Sequence, residues 1–217
     1  MSSFAFVFDM DGVLVDNNPF HKIALQQFCA RHGVNLSEEE LREKIYGRTN
    51  KDWIRNVFPD SSAEDRKHFA EEKETLYRTL YRPHIQPLEG LLPFLEKIHL
   101  GKYPIALATS APAENVDFTL SLIGASAYFP VILDESFVSK GKPDPEIYEK
   151  AAAALGMEAK NCLVFEDSLS GIEAAQKAGC KVVGLTTTHR ADELKGTDLV
   201  VGNFENLSPD SLLPQIF

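Results

Sequence analysis

The chain has 217 residues, of which 44% are hydrophobic and 25% charged, so it can bury one good core or a core with a smaller module. Its formal net charge of −10 argues against nucleic acid as a partner, because binding to a phosphate backbone needs a basic face. The charge is compatible with a small phosphorylated ligand, which needs only local cations.

The cysteines and the apolar segments predict a cytoplasmic protein. Cys29, Cys162 and Cys180 contain no CxxC pair, which is typical of reduced thiols in the cytosol. Residues 1–8 lack a basic segment and a cleavage-like segment, so we expect no signal peptide. No apolar run approaches the ~18 residues of a membrane span, so we expect no membrane partner. A monomer is the default expectation.

A buried strand is predicted at the start of the chain. Phe4–Phe8 is an uninterrupted apolar run, typical of a strand covered on both faces in a parallel sheet. Asp9 and Asp11 follow it directly, and Gly12 comes next. Ligands of open α/β sheets bind at the carboxyl ends of strands, where two adjacent anions repel each other unless a cation or a shared proton offsets them. The pair therefore predicts a magnesium site with a carboxylate nucleophile.

Residues 17–86 contain helix patterns and no strand pattern. The residues that can cap or begin the four predicted helices are Asn18, Ser37, Asn50 and Ser62. These helices are predicted to end near Gly33, Ile45, Phe58 and Tyr81. We therefore predict an all-helical insertion at 17–86 within an α/β core formed by 1–16 and 87–217.

Beyond Pro87, short apolar strands alternate with helices. The predicted strands are Ile105–Ala108, Val131–Leu133, Cys162–Phe165, Val182–Leu185 and Leu199–Val201. The predicted helices lie at about Leu91–Leu100, Ala113–Ile123, Pro145–Leu155 and Gly171–Ala178. This alternation implies a parallel sheet with right-handed crossovers. The predicted fold class is α/β, with a Rossmann-like parallel sheet core, helices on both faces and the inserted helical module.

Polar residues stand where these strands end or where a helix is about to begin. They are Asp9 and Asp11, Thr109 and Ser110, Lys142, and Glu166 and Asp167. Each group alone has a structural explanation, since hydroxyls start turns, loop lysines are solvated and acidic residues such as Asp167 cap helices. Gly171, near the start of the next helix, is expected to serve backbone geometry. The ordered occurrence of the polar groups at successive strand ends indicates a single site.

Together these residues have the chemistry of phosphoryl transfer through an aspartyl-phosphate. We expect Asp9 to attack phosphorus, and Asp11 to protonate the leaving oxygen and later deprotonate the attacking water. Asp167 would complete an oxygen-rich site for Mg²⁺, and that cation would screen Asp9 from the anionic substrate. Lys142 would neutralise Asp9 and a phosphoryl oxygen, while the Thr109 hydroxyl holds another.

The motifs closely resemble those of the haloacid dehalogenase-like hydrolases, over nearly the whole chain. The family's first motif, hhhhDxDGx, matches Val7–Leu14, and its second, hhhhT/S, matches Ile105–Thr109. The third motif, GKPxP, matches Gly141–Pro145, and the fourth, EDSxxGI, matches Glu166–Ile172. The resemblance implies that residues 17–86 form the family's small cap, which closes over the active site and supplies substrate contacts.

The resemblance also implies roles for single residues. Asp9 is the expected nucleophile, and Asp11 is the expected acid and base, with its backbone carbonyl on Mg²⁺. Asp167 is an expected metal ligand, and Glu166 is either a ligand or a residue that supports one. Dehalogenation is not expected despite the family name, because dehalogenating members lack the second aspartate and Asp11 is present.

The resemblance is compatible with two reactions. One is that of a phosphatase, and the other is that of a phosphomutase similar to β-phosphoglucomutase. The mutases place an arginine of a GxSR cap loop on a distal phosphate, and Asn50 stands at that position here. The loss of a bidentate phosphate binder is a serious departure, although the mutases' cap lysine and hinge histidine match Lys73 and His21. We therefore expect a phosphatase acting on a small phosphorylated metabolite such as a sugar phosphate, with the phosphomutase as the alternative.

The candidate substrate-binding residues are Ser110, His21, Arg48, Lys51 and Lys73. The loop cations Arg48 and Lys51 can instead be solvated, Lys73 can form an exposed helical ion pair, and His21 can be a packed histidine. Two readings from other classes are a phospho-acceptor signalling module and a catalytically idle binding protein. The helical insertion and the aspartate pair after the first strand argue against the first, and retention of Asp9, Asp11 and Lys142 argues against the second.

Overall fold

A computed structural model describes residues 3–37, 39–41 and 49–217. The chain divides into two compact units. The first unit joins the segment that ends at Asp16 to Ile85–Phe217, and the second unit is Asn17–His84. Within the described part of the chain, no helix combines the length and the apolar character that crossing a membrane requires.

The first unit is built on a six-stranded sheet in which every neighbouring pair is parallel. Its strands are β1 (Ala5–Phe8), β2 (Ile105–Ala108), β3 (Val131–Leu133), β4 (Cys162–Glu166), β5 (Lys181–Leu185) and β6 (Leu199–Val201). Their order in the sheet is β3-β2-β1-β4-β5-β6. The predicted α/β fold class is therefore confirmed, and β1 lies at the centre of the sheet between β2 and β4.

Both faces of β1 are buried, which explains its uninterrupted apolar sequence. On one face the rings of Phe6 and Phe8 contact Phe94 and Phe165. On the other face Ala5 and Val7 belong to a cluster that also contains Val164, Tyr148, Ile172 and Ala106. Alternate residues of a strand point to opposite faces. Phe6 and Phe8 therefore pack on one side of the sheet, and Ala5 and Val7 pack on the other.

Eight α-helices lie wholly within the described residues. The second unit contains α1 (Asn18–Arg31), α2 (Asn50–Val57) and α3 (Ala63–Tyr81). The first unit contains α4 (Leu91–Leu100), α5 (Ala113–Ile123), α6 (Glu146–Ala154), α7 (Leu169–Ala178) and α8 (Pro209–Ile216). The sequence did not predict α8, whose short apolar pattern is interrupted by Pro214. Helix α7 begins at Leu169 rather than Gly171 because the Ser168 hydroxyl caps it.

The second unit is helical in its described residues and has a hydrophobic core of its own. That core contains Leu25, Phe28, Cys29, Leu41, Trp53 and Ile54. Thr49, not Asn50, caps α2, because its hydroxyl accepts the Asp52 N–H. In α1 the N-cap position is held by Asn17 rather than by Asn18, the expected cap. Residues 39–41 are helical behind the Ser37 cap; the rest of that predicted helix, and Arg48, lie outside the described residues.

Candidate active site

The carboxyl ends of three neighbouring strands bring several predicted site residues to one place on the sheet. The register pairs Phe8 of β1 with Leu107 of β2 and Phe165 of β4. The chain therefore leaves the three strands at a similar level, and the next polar residues are Asp9, Thr109, Glu166 and Asp167. Except for Asp9, which is 7% exposed, these residues are at most 2% exposed. This edge of the sheet is where open α/β folds bind ligands.

Lys142 reaches the same place from the loop before α6. Its Nζ lies 2.9 Å from Oδ1 of Asp9 and 2.6 Å from Oε1 of Glu166, although 133 residues separate it from Asp9 in sequence. Its side chain is 8% exposed. A buried ammonium between two carboxylates is held by charge-assisted hydrogen bonds from both sides, and these carboxylates raise the pKa of Lys142 even though burial alone would lower it.

Glu166 is fully buried and is hydrogen-bonded through both oxygens. Oε1 accepts from Lys142 and from the Tyr148 hydroxyl at 2.7 Å. Oε2 accepts from the backbone N–H groups of Asp167 and Ser168 and from the Ser168 hydroxyl, each at 3.0 Å. Burial raises the pKa of Glu166, but the Lys142 charge and the hydrogen bonds outweigh it and hold the pKa below its ordinary value.

Gly171 leaves the space that the Glu166 carboxylate occupies. A Cβ atom at position 171 would lie 1.7 Å from Oε1 and 2.0 Å from Cδ of Glu166. The expectation that this glycine serves backbone conformation is wrong, because its φ is not among the positive values of the chain. Its role is steric: only a residue without a side chain allows α7 to pass so close to Glu166.

Among the described residues, the acidic side chains at this edge outnumber the one ammonium, that of Lys142, which contacts them. One carboxylate oxygen from each of Asp9, Glu166 and Asp167 lies within 4.8 Å of the others. The pKa of Asp9 is raised to about 7, because burial, Glu166 and Asp11 raise it by more than Lys142 lowers it. Burial, Glu166 and Asp9 together raise the pKa of Asp167 well above its ordinary value.

These residues fit a divalent cation. Mg²⁺ prefers oxygen ligands, and a cation beside Asp9 and Asp167 would offset the repulsion that raises their pKa values. Glu166 belongs to the same cluster, but its two oxygens already accept hydrogen bonds from five donor groups. Its carboxylate is therefore committed to Lys142, Tyr148 and the start of α7, and its place among the metal ligands stays a prediction.

The remaining predicted residues of the first unit also follow strands. The Thr109 hydroxyl accepts the Ala111 N–H at 3.2 Å, which orients its oxygen and leaves the O–H to act as a donor. Ser110 and Asp11 are half-buried. Asp11 is followed by Gly12, whose φ of 74° is left-handed and turns the chain away from β1.

The predicted substrate-binding residues of the second unit occupy two different environments. Lys73 is buried, with its Nζ 2.8 Å from Oε1 of Glu74 and 3.0 Å from Nδ1 of His21. The His21 ring stacks on Tyr77 at a centroid distance of 3.7 Å. The alternative of an exposed ion pair at Lys73 is therefore wrong. Lys51 is exposed, and Arg48 lies outside the described residues.

Asn50 is joined to the same buried pair. Its amide nitrogen donates to Oε1 of Glu74 at 2.9 Å, and its amide oxygen accepts from Nε1 of Trp53 at 2.8 Å. Position 50 therefore carries a neutral side chain whose two polar ends contact other residues of the second unit. Glu74 in turn contacts Lys73, so the charge of that lysine is compensated locally.

Two polar side chains outside the four sequence motifs also contact the acidic cluster, and sequence reasoning missed them. Thr188 donates a hydrogen bond to Oδ2 of Asp167. It follows β5 closely, at the same edge of the sheet, so its position after a strand was a usable signal. Tyr148 contacts Glu166 from the first turn of α6, and a tyrosine in an amphipathic helix gives no comparable signal.

Comparison with known proteins identifies one family. A family model described as haloacid dehalogenase-like hydrolase matches residues 6–185. Validoxylamine A 7'-phosphate phosphatase of Streptomyces hygroscopicus subsp. limoneus is 31% identical over 90% of this chain and 91% of its own length. The phosphorylated carbohydrates phosphatase of Thermotoga maritima is 32% identical over 81% of each chain.

A mutase and a solved structure are also similar. The β-phosphoglucomutase of Bacillus subtilis is 28% identical over 96% of this chain and 93% of its own. The crystal structure of a HAD hydrolase, family IA, variant 3 from Entamoeba histolytica superposes with a TM-score of 0.87 at 33% identity, covering 98% of both chains. The similarity thus includes both parts of the chain, the α/β unit and the helical one.

Proposed function

The chain belongs to the haloacid dehalogenase-like hydrolases, and from this premise we propose that it is a magnesium-dependent phosphatase that hydrolyses a small phosphorylated metabolite through an aspartyl-phosphate on Asp9. Its enzyme class is that of the phosphoric monoester hydrolases, since relatives at 31% and 32% identity are named as phosphatases. The observation that carries the proposal is the buried contact of Asp9 with Lys142 at 2.9 Å, beside Asp167 and Thr109 at the central strand ends.

The proposed reaction has two steps. In the first, an Asp9 carboxylate oxygen attacks phosphorus, the ester P–O bond breaks, and Asp11 gives its proton to the leaving oxygen. In the second, water attacks the phosphorus of the aspartyl-phosphate and passes its proton to Asp11, while the bond to Asp9 breaks and inorganic phosphate leaves. Lys142 and the Thr109 hydroxyl stabilise the negative charge on the phosphoryl oxygens.

Asp9, Asp167 and the Asp11 backbone carbonyl are the proposed holders of Mg²⁺, with Glu166 close by. When bound, the cation supplies positive charge that offsets repulsion between Asp9 and the phosphoryl group. The two units are proposed to act as catalytic core and cap, with Ser110 on the core. The proposed cap contacts to substrate are His21, Arg48, Lys51 and Lys73. A cytoplasmic location and a monomeric state stay predictions.

The contacts of Asn50 support hydrolysis over mutase chemistry. A phosphomutase must hold a second, distal phosphate, which calls for a cation such as arginine. Position 50 instead carries a neutral amide that already contacts Glu74 and Trp53, and Lys73 is already paired with Glu74. The phosphomutase stays the second candidate because of the similarity to β-phosphoglucomutase.

The names of the relatives support a phosphorylated carbohydrate as the substrate. One is named for validoxylamine A 7'-phosphate and another for phosphorylated carbohydrates. We propose a sugar phosphate or a related polyol phosphate for this enzyme. Such a substrate needs one phosphate site at Asp9, together with hydroxyl-binding polar groups rather than a second anion site.

The test is phosphate release from a panel of sugar and polyol phosphates with Mg²⁺. A parallel reaction contains β-glucose 1-phosphate with catalytic glucose 1,6-bisphosphate and is assayed for glucose 6-phosphate. We expect steady phosphate release, loss of that release with EDTA and recovery with added Mg²⁺. Conversion to glucose 6-phosphate with little free phosphate would establish the mutase instead, and a single stoichiometric phosphorylation without turnover would indicate a signalling module.

A further inference from the structure

Tyr148 contacts both members of the Lys142–Glu166 pair. It lies in the first turn of α6 and is fully buried. Its hydroxyl donates to Oε1 of Glu166 at 2.7 Å, and the centroid of its ring lies 5.0 Å from Nζ of Lys142. Tyr148 thus supplies a hydrogen bond to the carboxylate and a cation–π contact to the ammonium.

The Lys142 ammonium is shared between two carboxylates. Its distance is 2.6 Å to Oε1 of Glu166 and 2.9 Å to Oδ1 of Asp9. The position of the ammonium between them depends on how strongly each carboxylate attracts it. A second donor on Oε1 weakens the attraction of Glu166 for the Lys142 ammonium, because the Tyr148 hydroxyl already stabilises part of the carboxylate charge.

The other carboxylate oxygen of Glu166, Oε2, is held by hydrogen bonds from the start of α7. Oε2 accepts from two backbone N–H groups and the Ser168 hydroxyl, and Gly171 lets the helix lie directly against the carboxylate. The hydrogen bonds from the start of α7 hold Oε2 only. The other oxygen, Oε1, accepts its hydrogen bonds from Lys142 and Tyr148, so its orientation depends on these two residues.

We propose that Tyr148 is a positioning residue, which fixes Oε1 of Glu166 and thereby holds the Lys142 ammonium against Asp9. The inference deepens the proposed function, on which the kinetic part of its test rests. Removal of the hydroxyl leaves Oε1 with one donor fewer in a buried site, so Lys142 moves toward Glu166 and away from Asp9. The positive charge of Lys142 then stabilises the phosphoryl group on Asp9 less effectively.

The experiment compares Tyr148→Phe with Tyr103→Phe. Tyr148→Phe removes the hydroxyl and keeps the ring, whereas Tyr103 packs edge-on against Phe6 at 5.3 Å and precedes β2, away from the carboxyl ends of the strands. Each variant is examined by NMR of the lysine ammonium groups, with the Lys142 signal assigned from Lys142→Met, and by thermal melting. Steady-state kinetics with the best substrate of the panel give kcat and KM separately.

We expect Tyr148→Phe to shift or broaden the Lys142 ammonium signal and Tyr103→Phe to leave it in place. We expect kcat to fall about tenfold, the effect of losing one hydrogen bond to a charged group, with KM nearly unchanged and the melting temperature lowered by only a few degrees. In a Lys142→Met background, Tyr148→Phe should cause little further change, because it acts through the lysine.

Two results would overturn the inference. One is an unchanged Lys142 signal in Tyr148→Phe. The other is an equal fold-loss of kcat from Tyr148→Phe with and without Lys142, which would indicate a general structural role. If the wild-type protein releases no phosphate from any substrate, the proposed function fails, but the NMR comparison still decides whether Tyr148 positions Lys142.

Discussion

At the scale of single residues, Glu166 shows how a fully buried carboxylate is stabilised. One cation, one phenol hydroxyl, one serine hydroxyl and two backbone N–H groups surround it. A buried charge is tolerated only when it is paired and hydrogen-bonded in this way. The arrangement also requires room, and Gly171 provides it because any Cβ there would overlap the carboxylate.

Gly171→Ala should therefore displace Glu166 and disturb Lys142. A forced fit of this kind typically costs about 1–3 kcal/mol of the free energy of unfolding, and phosphatase activity should fall at the same time. Urea unfolding and phosphate release measure the two effects. Ser170→Ala is the matched control, since it changes the neighbouring position on α7. Wild-type stability and activity in Gly171→Ala would refute the steric explanation.

At the scale of secondary-structure elements, the start of α7 both caps a helix and holds the site. The Ser168 hydroxyl accepts the Gly171 N–H at 3.0 Å and donates to Oε2 of Glu166 at 3.0 Å. In α8, Ser208 forms a capping box with Ser211, and the hydrogen bonds of its N–H and hydroxyl are with Ser211. The two serines therefore make the same kind of cap with different consequences for the site.

Ser168→Ala and Ser208→Ala should each lower the free energy of unfolding by about 1 kcal/mol, the usual effect of losing an N-cap hydroxyl. Only Ser168→Ala should also lower kcat, because Glu166 loses one of its donors. Denaturant unfolding and steady-state kinetics on both variants provide the comparison. Equal kcat values in the two variants would show that the Ser168 contact does not influence the site.

The strands were predictable because their burial leaves a strong pattern. β1 is apolar at every position since both of its faces are covered, and the polar residues that follow β1, β2 and β4 stand out against these runs. α8 was missed because it is short, lies at the end of the chain and contains Pro214. The capping box at Ser208 can be recognised only when the helix that follows it is known, so it is a weak sequence signal by itself.

The candidate site was predictable to the extent that its residues follow strands. Asp9, Thr109 and Asp167 do so and Glu166 ends β4, and parallel strands bring their ends together. Tyr148 was not predictable, since its contact with Glu166 depends on how α6 packs on the sheet. The buried state of Lys73 also could not be seen, because Glu71–Glu74 has the composition of an exposed helical surface.

At the scale of the whole molecule, an acidic chain keeps several carboxylates buried at one edge of its sheet. The formal net charge is −10, and the raised pKa values of Asp9 and Asp167 express local repulsion as well as burial. A bound divalent cation removes part of that repulsion in the folded state only. Folding and metal binding should therefore be coupled.

Mg²⁺ should raise the melting temperature, and Asp167→Asn should reduce that response. A ligand that binds only the folded state stabilises it by about 2.7 kcal/mol at a hundredfold excess over its dissociation constant. Thermal unfolding with MgCl₂, compared with NaCl at equal ionic strength, measures the effect without any substrate. An identical response to both salts in the wild-type protein would contradict a magnesium site at Asp9 and Asp167.

The most direct test of the central claim is phosphate release by Asp9→Asn beside the wild-type enzyme, with the same substrate and Mg²⁺. The amide has the shape of the carboxylate but cannot form the aspartyl-phosphate, so we predict a loss of at least about 10³-fold in kcat. The fold, followed by circular dichroism, should be retained. Activity close to that of the wild-type enzyme in a folded Asp9→Asn protein would contradict the account.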